Sequence, residues 1–209
     1  QNEDMTMIRK GLILAFTSLG LAGCGVGGTH YDLVIEGGRV IDPESGLDGL
    51  RTIGVLAGEI AAITETSLEG DRVINATGLV VVPGFIDLHE HGQEEESYRM
   101  MVRDGVTTAL ELEVGTADVE EWYAEREGGQ LVNHGVSIGH IPVRMDVLDD
   151  PGDFLPAGSG GSGTATPDQL DEIERGIREG IVQGAVAVGF GSAYTPGATM
   201  EEIERMFGV

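Results

Sequence analysis

Residues 83–92 read Pro-Gly-Phe-Ile-Asp-Leu-His-Glu-His-Gly, and this stretch indicates both the fold and the chemistry of the chain. An apolar run, residues 79–82, leads into it, and residues 85–88 have the composition of a short buried strand. On a β-strand, residues i and i+2 point to the same side. His89 and His91 are therefore expected to converge at the strand end, where neutral imidazoles can hold a divalent metal. The alternative is that two polar residues simply cap the strand.

The same ten residues resemble a segment of the amidohydrolase superfamily, whose members are metal-dependent hydrolases on a (β/α)8 barrel. In that family a Pro-Gly-Phe-(Ile/Val)-Asp-x-His-x-His segment forms the first barrel strand and supplies the first two metal ligands. The resemblance implies that His89 and His91 bind metal, with one or two zinc ions as cofactor. It also implies that metal-activated water hydrolyses an amide bond.

The chain after Gly92 alternates helical and strand-like segments, a pattern typical of βα units. Predicted strands cover residues 106–114, 136–141 and 185–190. Predicted helices cover residues 94–104, 118–127, 166–180 and a last segment from Thr199, and capping boxes begin the last two. Residues 151–164, rich in Gly, Ser and Pro, are expected to form a mobile loop. We therefore predict an α/β fold, in which residues 83–209 form about strands 1–4 of a partial TIM-type (β/α)8 barrel.

Residues 31–82 read instead as short strands separated by tight turns, with turn signals at Gly37-Gly38 and Ala57-Gly58. Short strands at regular spacing favour a small β-sandwich. This segment resembles the accessory β-domain of amidohydrolases, which the two ends of the chain build jointly.

Two carboxylates, Glu111 and Glu113, lie near the end of the second predicted barrel strand, where active sites of such barrels are found. Buried carboxylates are costly unless they are paired or bound to metal. Glu113, closer to the strand end, is the favoured third ligand, and Glu111 is the second choice. The alternative is that both carboxylates point into a polar barrel interior or that the strand is shifted. The preceding segment, residues 104–108, resembles the N-acyl-D-amino-acid deacylase (D-aminoacylase) branch. There a cysteine near this strand end binds metal, whereas this chain has Val114.

Three further residues resemble segments of the same deacylases. His140 and Arg144 fit a Gly-His-x-x-x-Arg segment, and Tyr194 fits a Tyr-x-Pro-Gly segment. The resemblance implies that His140 contacts water or substrate, that Arg144 pairs with a substrate carboxylate and that Tyr194 lines the pocket. The alternatives are a structural histidine, a solvated arginine and an aromatic that packs a turn.

Lys10 is the only lysine in the sequence. One amidohydrolase branch, which resembles hydantoinases and dihydroorotases, bridges two metals with a carboxylated lysine from the fourth or a nearby strand. Because no lysine follows residue 10, and the predicted fourth strand, residues 185–190, lies before Val209, that branch is disfavoured.

The first 24 residues have the pattern of a secretory signal: Arg9-Lys10, then the apolar run 11–21, then a small-residue segment ending in Cys24. The Leu-Ala-Gly-Cys end resembles a bacterial lipobox, which implies lipidation of Cys24. Residues 25–30 would then form a tether. The protein would be exported and anchored to a membrane, facing the periplasm or the exterior. An ordinary signal peptide or a buried free cysteine is the alternative.

The net charge of −24, from 36 acidic and 12 basic residues, argues against nucleic acid as a partner.

A complete (β/α)8 barrel takes about 250 residues. We therefore expect the chain to be the N-terminal part of a longer enzyme or a truncated product, with two further histidine ligands and the aspartate general base of the family beyond Val209. The favoured function is deacylation of N-acyl-D-amino acids or a similar small linear amide. The alternatives are a dipeptidase or cyclic amidase, and a catalytically inactive fragment or surface-anchored binding lipoprotein.

Overall fold

The computed structural model describes residues 28–209, which fall into two compact units that divide between Val81 and Val82. The strands of the first unit are β1 His30–Asp42, β2 Leu47–Leu56, β3 Glu59–Thr64, β4 Glu69–Asn75 and β5 Val80–Val81. The strands of the second are β6 Phe85–Asp87, β7 Val106–Thr116, β8 Asn133–Gly139 and β9 Val188–Gly189. Its helices are α1 Glu95–Asp104, α2 Val119–Ala124, α3 His140–Val147, α4 Ser159–Ser162, α5 Pro167–Val182 and α6 Met200–Phe207. The predicted signal segment and Cys24 lie outside the described residues.

The first unit is one mixed sheet in the order β3-β2-β1-β4, with β5 also paired to β1. The predicted tight turn at Ala57-Gly58 is confirmed, since both residues have the positive φ angles, 53° and 83°, of a two-residue hairpin turn. The predicted hairpin at Gly37-Gly38 is wrong. Strand β1 runs through these glycines, and its pairing with β2 shifts register there, so Gly37 at φ 74° serves a bulge. A second layer for the predicted sandwich is not among the residues described.

The second unit has a parallel sheet in the sequential order β6-β7-β8-β9, with helices in the connections. This arrangement confirms the predicted α/β fold. Parallel strands need crossover connections, and here helices α1, α2, α3 and α5 lie in those connections. The carboxyl ends of all four strands therefore lie at the same edge of the sheet, which is where the predicted ligands are found.

Three strand predictions need correction. Strand β6 is short and forms the sheet edge, so Phe85 and Ile86 are 58% and 62% exposed rather than buried. Strand β8 ends at Gly139, and His140 begins helix α3 instead of ending the strand. The fourth strand is only the two residues of β9.

Helices α2, α3, α5 and α6 share one apolar cluster with strand β8. Its fully buried members are Val119, Val136, Ile138, Ile173, Ile177 and Met206. The predicted capping box of α5 is confirmed, because Thr166 accepts from the backbone N–H of Gln169 and the Gln169 side chain accepts from that of Thr166. Gly105 ends α1 in the left-handed conformation, as predicted. Within residues 28–209, no helix combines the length and the apolar character needed to cross a bilayer.

The loop between α3 and α5 is organised around the carboxylate of Asp150. Its two oxygens accept four backbone N–H groups at 2.7–2.8 Å, from Gly152, Ala157, Gly158 and Gly160. Burial raises the pKa of Asp150, but these four donors outweigh it and hold the pKa below its ordinary value. A segment expected to be mobile is thus folded onto one side chain.

Candidate metal centre

The segment after β6 places both histidines beside strand β7. Asp87 accepts a hydrogen bond from the backbone N–H of His89 at 3.0 Å, which holds the chain in a turn. His89 then forms an isolated bridge with Glu111, and the backbone N–H of Glu90 donates to Leu110 O at 3.1 Å. The imidazoles of His89 and His91 meet edge to face, with their Nε2 atoms 3.0 Å apart. The predicted convergence of the two rings is what the geometry shows.

Strand β7 carries a large bulge opposite these rings. Glu111 pairs with Val136, and the next pair is Thr116 with Ile138, so five residues of β7 advance against two of β8. The three extra residues leave the ladder between these pairs. Gly115 has φ 67° and passes so close to β8 that an added Cβ would lie 2.9 Å from the backbone nitrogen of Gly139 and closer still to Ser137. The bulge therefore requires glycine at this position.

The bulge presents Glu113 to the histidine pair. Glu113 Oε2 lies 2.9 Å from His89 Nε2 and 3.5 Å from His91 Nε2. A tetrahedral zinc site with bonds of about 2.0–2.1 Å spaces its ligand atoms about 3.3 Å apart. Two imidazole nitrogens and one carboxylate oxygen at these separations fit a divalent metal with nitrogen and oxygen ligands.

The cluster is open on one side. The side chains of His89, His91 and Glu113 are 61%, 36% and 28% exposed, so solvent and a small molecule can reach the point on which their ligand atoms converge. Catalytic zinc sites keep such an open position, whereas structural zinc sites are closed. A catalytic centre is therefore the kind of metal site that this exposure favours.

The partner of the remaining nitrogen of His91 is Glu111. Nδ1 of His91 lies in hydrogen-bond contact with Oε2 of Glu111, a residue that is only 5% exposed. The sequence alternative that Glu111 is itself a ligand does not match this contact, because the carboxylate meets the ring on the side opposite Nε2. Only the spacing of Glu111 and Glu113 was visible in the sequence, and the bulge between them was not.

Val114 occupies the position where the resemblance places a cysteine ligand. Its side chain is 2% exposed and packs in an apolar cluster with Ile141 and Met145. The site therefore has no sulfur donor from this position, and Glu113, one residue earlier, supplies an oxygen instead.

Phe154 is a residue of the site that the sequence did not indicate. Its ring meets that of His91 edge to face, with centroids 5.4 Å apart, and it remains 52% exposed. It belongs to the loop that Asp150 organises. An aromatic residue in a Gly- and Pro-rich loop gives no signal of its position until the loop fold is known.

His140 and Arg144, predicted to bind substrate, are brought together by a buried carboxylate. Nε2 of His140 and Nε of Arg144 both donate to Glu202 Oε1, at 2.8 and 2.7 Å. The guanidinium also donates to three carbonyls of the loop, those of Ser159, Gly160 and Gly163. The side chains of all three members are at most 1% exposed. These contacts tie α3, α6 and the loop to one another.

Tyr194, the third predicted substrate residue, lies in the turn after β9. Its backbone N–H donates to Gly191 O at 2.9 Å, and the residue is 40% exposed. Among residues 28–209, the structure shows no contact of His140, Arg144 or Tyr194 with His89, His91 or Glu113. Their predicted part in substrate binding stays a prediction.

The N-terminus of α6 departs from its predicted capping box. Thr199 accepts from the backbone N–H of Glu202 at 3.1 Å, as a capping box requires. The Glu202 side chain, however, turns inward to Arg144 and His140 instead of returning to the cap. Burial raises the pKa of Glu202, yet the hydrogen bonds from His140 and Arg144 and the arginine charge outweigh it, so the pKa lies below its ordinary value.

Comparison with known proteins gives a consistent set of relatives. No protein-family model matches the chain. An N-acyl-D-glutamate deacylase of Alcaligenes xylosoxydans xylosoxydans is 27% identical over 205 residues, covering 83% of this chain and 40% of the relative. A dihydroorotase of Streptococcus pneumoniae is 49% identical, but over 63 residues, 30% of this chain and 15% of the relative. The chain spans about two fifths of the length of the deacylase relative.

The solved structures point the same way. An N-acyl-D-glutamate deacylase from Bordetella bronchiseptica, in complex with zinc and a phosphonate mimic of the tetrahedral intermediate, aligns with a TM-score of 0.71. It is 25% identical, over 85% of this chain and 42% of that one. A D-aminoacylase with a binuclear metal centre aligns at 0.67 and 25% identity, over 84% of this chain and 42% of its own.

The buried network around Glu202 gives a prediction on stability. Glu202→Gln keeps the shape of the side chain but leaves the Arg144 charge buried without its counter-ion. The free energy of unfolding is therefore expected to fall by roughly 3–5 kcal/mol. Since the pKa of Glu202 is lowered in the folded state, its contribution is present above the unfolded value of about 4.3 and is lost as pH falls through the folded value. Urea unfolding at neutral pH and in acid measures both effects.

The matched control is Glu201→Gln, an exposed carboxylate one residue earlier on the same helix. It should unfold like the unmodified chain. Equal stability of the Glu202 and Glu201 variants at neutral pH would contradict a stabilising ion network.

Proposed function

We propose that this chain forms part of a metal-dependent hydrolase of N-acyl-D-amino acids. Its similarity to deacylases supports placing it in the D-aminoacylase-like branch of the amidohydrolase superfamily. One observation carries the proposal: two imidazole nitrogens and a carboxylate oxygen converge at the carboxyl edge of a parallel sheet, open to solvent. The four sequential strands fit the first part of a (β/α)8 barrel, whose active sites lie at this edge.

The donor set indicates which residues would hold the metal. His89, His91 and Glu113 would bind zinc, and the bound ion would polarise the amide carbonyl and lower the pKa of water. Glu113 carries a negative charge at the site, which favours binding of a cation. Phe154 packs edge to face against the ring of His91. One or two ions are compatible with this edge, since a relative has a binuclear centre.

A linear amide is the favoured substrate because the similarity to deacylases extends over most of the chain. The N-acyl-D-glutamate deacylase relative aligns over 83% of this chain, and the structural neighbours align over a similar share of it. Of the predicted substrate residues, Tyr194 offers exposed surface, whereas Arg144 is enclosed by Glu202 and the loop carbonyls.

The second candidate is a cyclic amidase, and it is favoured by the local 49% identity to a dihydroorotase. The lysine content of the sequence argues against a cyclic amidase. Strand β9, the fourth strand of the parallel sheet, has no lysine, and none follows Lys10 in the sequence. A metal pair bridged by a carboxylated lysine cannot be built from these residues.

The activity test measures hydrolysis of several substrates by the protein, purified from the cells that naturally produce it and loaded with zinc. It is expected to release free amino acid from N-acetyl-D-glutamate and other N-acetyl-D-amino acids, to act far more slowly on the L-enantiomers, and to leave dihydroorotate and hydantoin intact. Removal of zinc with a chelator should abolish release, and added zinc should restore it.

Ring opening of dihydroorotate without release from acyl-amino acids would overturn the deacylase proposal in favour of the cyclic amidase. Bound zinc with no hydrolysis of either substrate class would favour an inactive or binding protein. An Asp153→Ala variant, which changes an exposed carboxylate on the loop beside the site, serves as control and should keep full activity.

We further propose that the protein is exported and anchored to a bacterial membrane by lipid on Cys24, facing the periplasm or the exterior. The support is the sequence pattern alone: a basic start, an apolar run and Leu-Ala-Gly-Cys. Mass spectrometry of the protein from its own membrane fraction should find a diacylglyceryl group on Cys24, and Cys24→Ser should release the protein from membranes. An unmodified Cys24 in a membrane-free protein would contradict the anchor.

A further inference from the structure

The Glu111 carboxylate has its two oxygens engaged on opposite sides. Oε1 accepts the backbone N–H groups of three successive bulge residues, Glu113, Val114 and Gly115, at 3.1, 3.0 and 3.3 Å. Oε2 is in hydrogen-bond contact with Nδ1 of His91. The side chain is 6% exposed, so these donors replace the water that a carboxylate would otherwise bind. Both oxygens are therefore used inside the protein.

The three N–H groups form a concave anion site of a kind that successive backbone amides make in turns. Here the anion is a side chain of the same strand. It shapes residues 112–115 into the bulge, and that bulge is what brings Glu113 to the histidine nitrogens. Glu111 thus acts on the position of one predicted ligand through the backbone.

The other oxygen acts on a second predicted ligand through its proton. An ionised carboxylate is an acceptor only, so the ring nitrogen that faces it has to carry a hydrogen. A neutral imidazole has one N–H, and with that hydrogen on Nδ1 the Nε2 atom keeps a free lone pair. This lone pair points to the place where His89 Nε2 and Glu113 Oε2 converge.

We propose that Glu111 is the positioning residue of this centre. It fixes the bulge that carries Glu113, and it holds His91 in the Nδ1–H form that leaves Nε2 free to bind metal. The proposal rests on the proposed function only in taking the bound group to be a divalent metal. It replaces the sequence alternative in which Glu111 is a ligand.

The decisive variant is Glu111→Gln. The three backbone donors select the amide oxygen for the bulge side, so the bulge is retained. The amide NH2 then faces His91 Nδ1 and can only donate, which moves the ring hydrogen to Nε2 and blocks the lone pair. Zinc is expected to bind about 10–100-fold more weakly, the range seen when such partners of ligating histidines are removed.

The tautomer is read directly, without metal or activity. Proton–nitrogen NMR of the metal-free, 15N-His-labelled chain at alkaline pH should show His91 with its hydrogen on Nδ1, and Glu111→Gln should show it on Nε2. Zinc affinity is measured in parallel by competition with a chelating dye. Glu96→Gln, an exposed carboxylate on α1, is the control and should change neither value.

An Nε2–H tautomer in the unmodified chain would overturn the proposal, and this readout holds even if the variant fails to fold. Zinc affinity within twofold of the unmodified chain in Glu111→Gln, with an unchanged tautomer, would overturn it as well. If the unmodified chain bound no zinc but showed the Nδ1–H form, the proposed function would fail while the assignment of Glu111 stood.

Discussion

A carboxylate buried at the end of a parallel strand has to find donors, and the donors of Glu111 determine the shape of the whole site. Three backbone N–H groups on one oxygen bend β7 out of its ladder, and one imidazole N–H on the other oxygen fixes a ring. Without the bulge, the regular strand would leave Glu113 on the ladder. The tight passage of Gly115 past β8 is the steric condition for this arrangement.

A second buried carboxylate, Glu202, performs a comparable task away from the metal cluster. It gathers Arg144 and His140, and Arg144 in turn holds the carbonyls of the loop that Asp150 organises from the other side. This loop carries Phe154 to the ring of His91. Glu202 and Arg144 thus act on the site at a distance, because they order backbone that bears a side chain of the site. Breaking this pairing leaves an uncompensated charge in the interior, which is costly.

The sequence was sufficient for the parts that depend on local pattern. The Pro-Gly-Phe-Ile-Asp-Leu-His-Glu-His run predicted the converging imidazoles, Thr166-Pro167 predicted the start of α5, and the βα alternation predicted the parallel sheet. It failed where long-range packing decides. The glycines at 37 and 38 have the composition of a hairpin turn, but β2 pairs with both halves of β1, β4 with its first half and β5 with its second half, and this pairing holds the strand continuous. Nothing in the spacing of Glu111 and Glu113 distinguishes two neighbours on a regular strand from two residues across a bulge. The buried ion pair of Arg144 could not be anticipated either, because its partner Glu202 lies 58 residues later.

The central claim is that His89, His91 and Glu113 bind a divalent metal at the carboxyl edge of the sheet, and zinc X-ray absorption spectroscopy tests it most directly. The account predicts a first coordination sphere of nitrogen and oxygen only, with the scattering signature of at least two imidazoles, at distances of about 2.0–2.2 Å. Replacement of both histidines by alanine should remove two imidazoles from that signature and lower the amount of bound zinc. Zinc retained at full stoichiometry with an unchanged spectrum in the double variant would contradict the account.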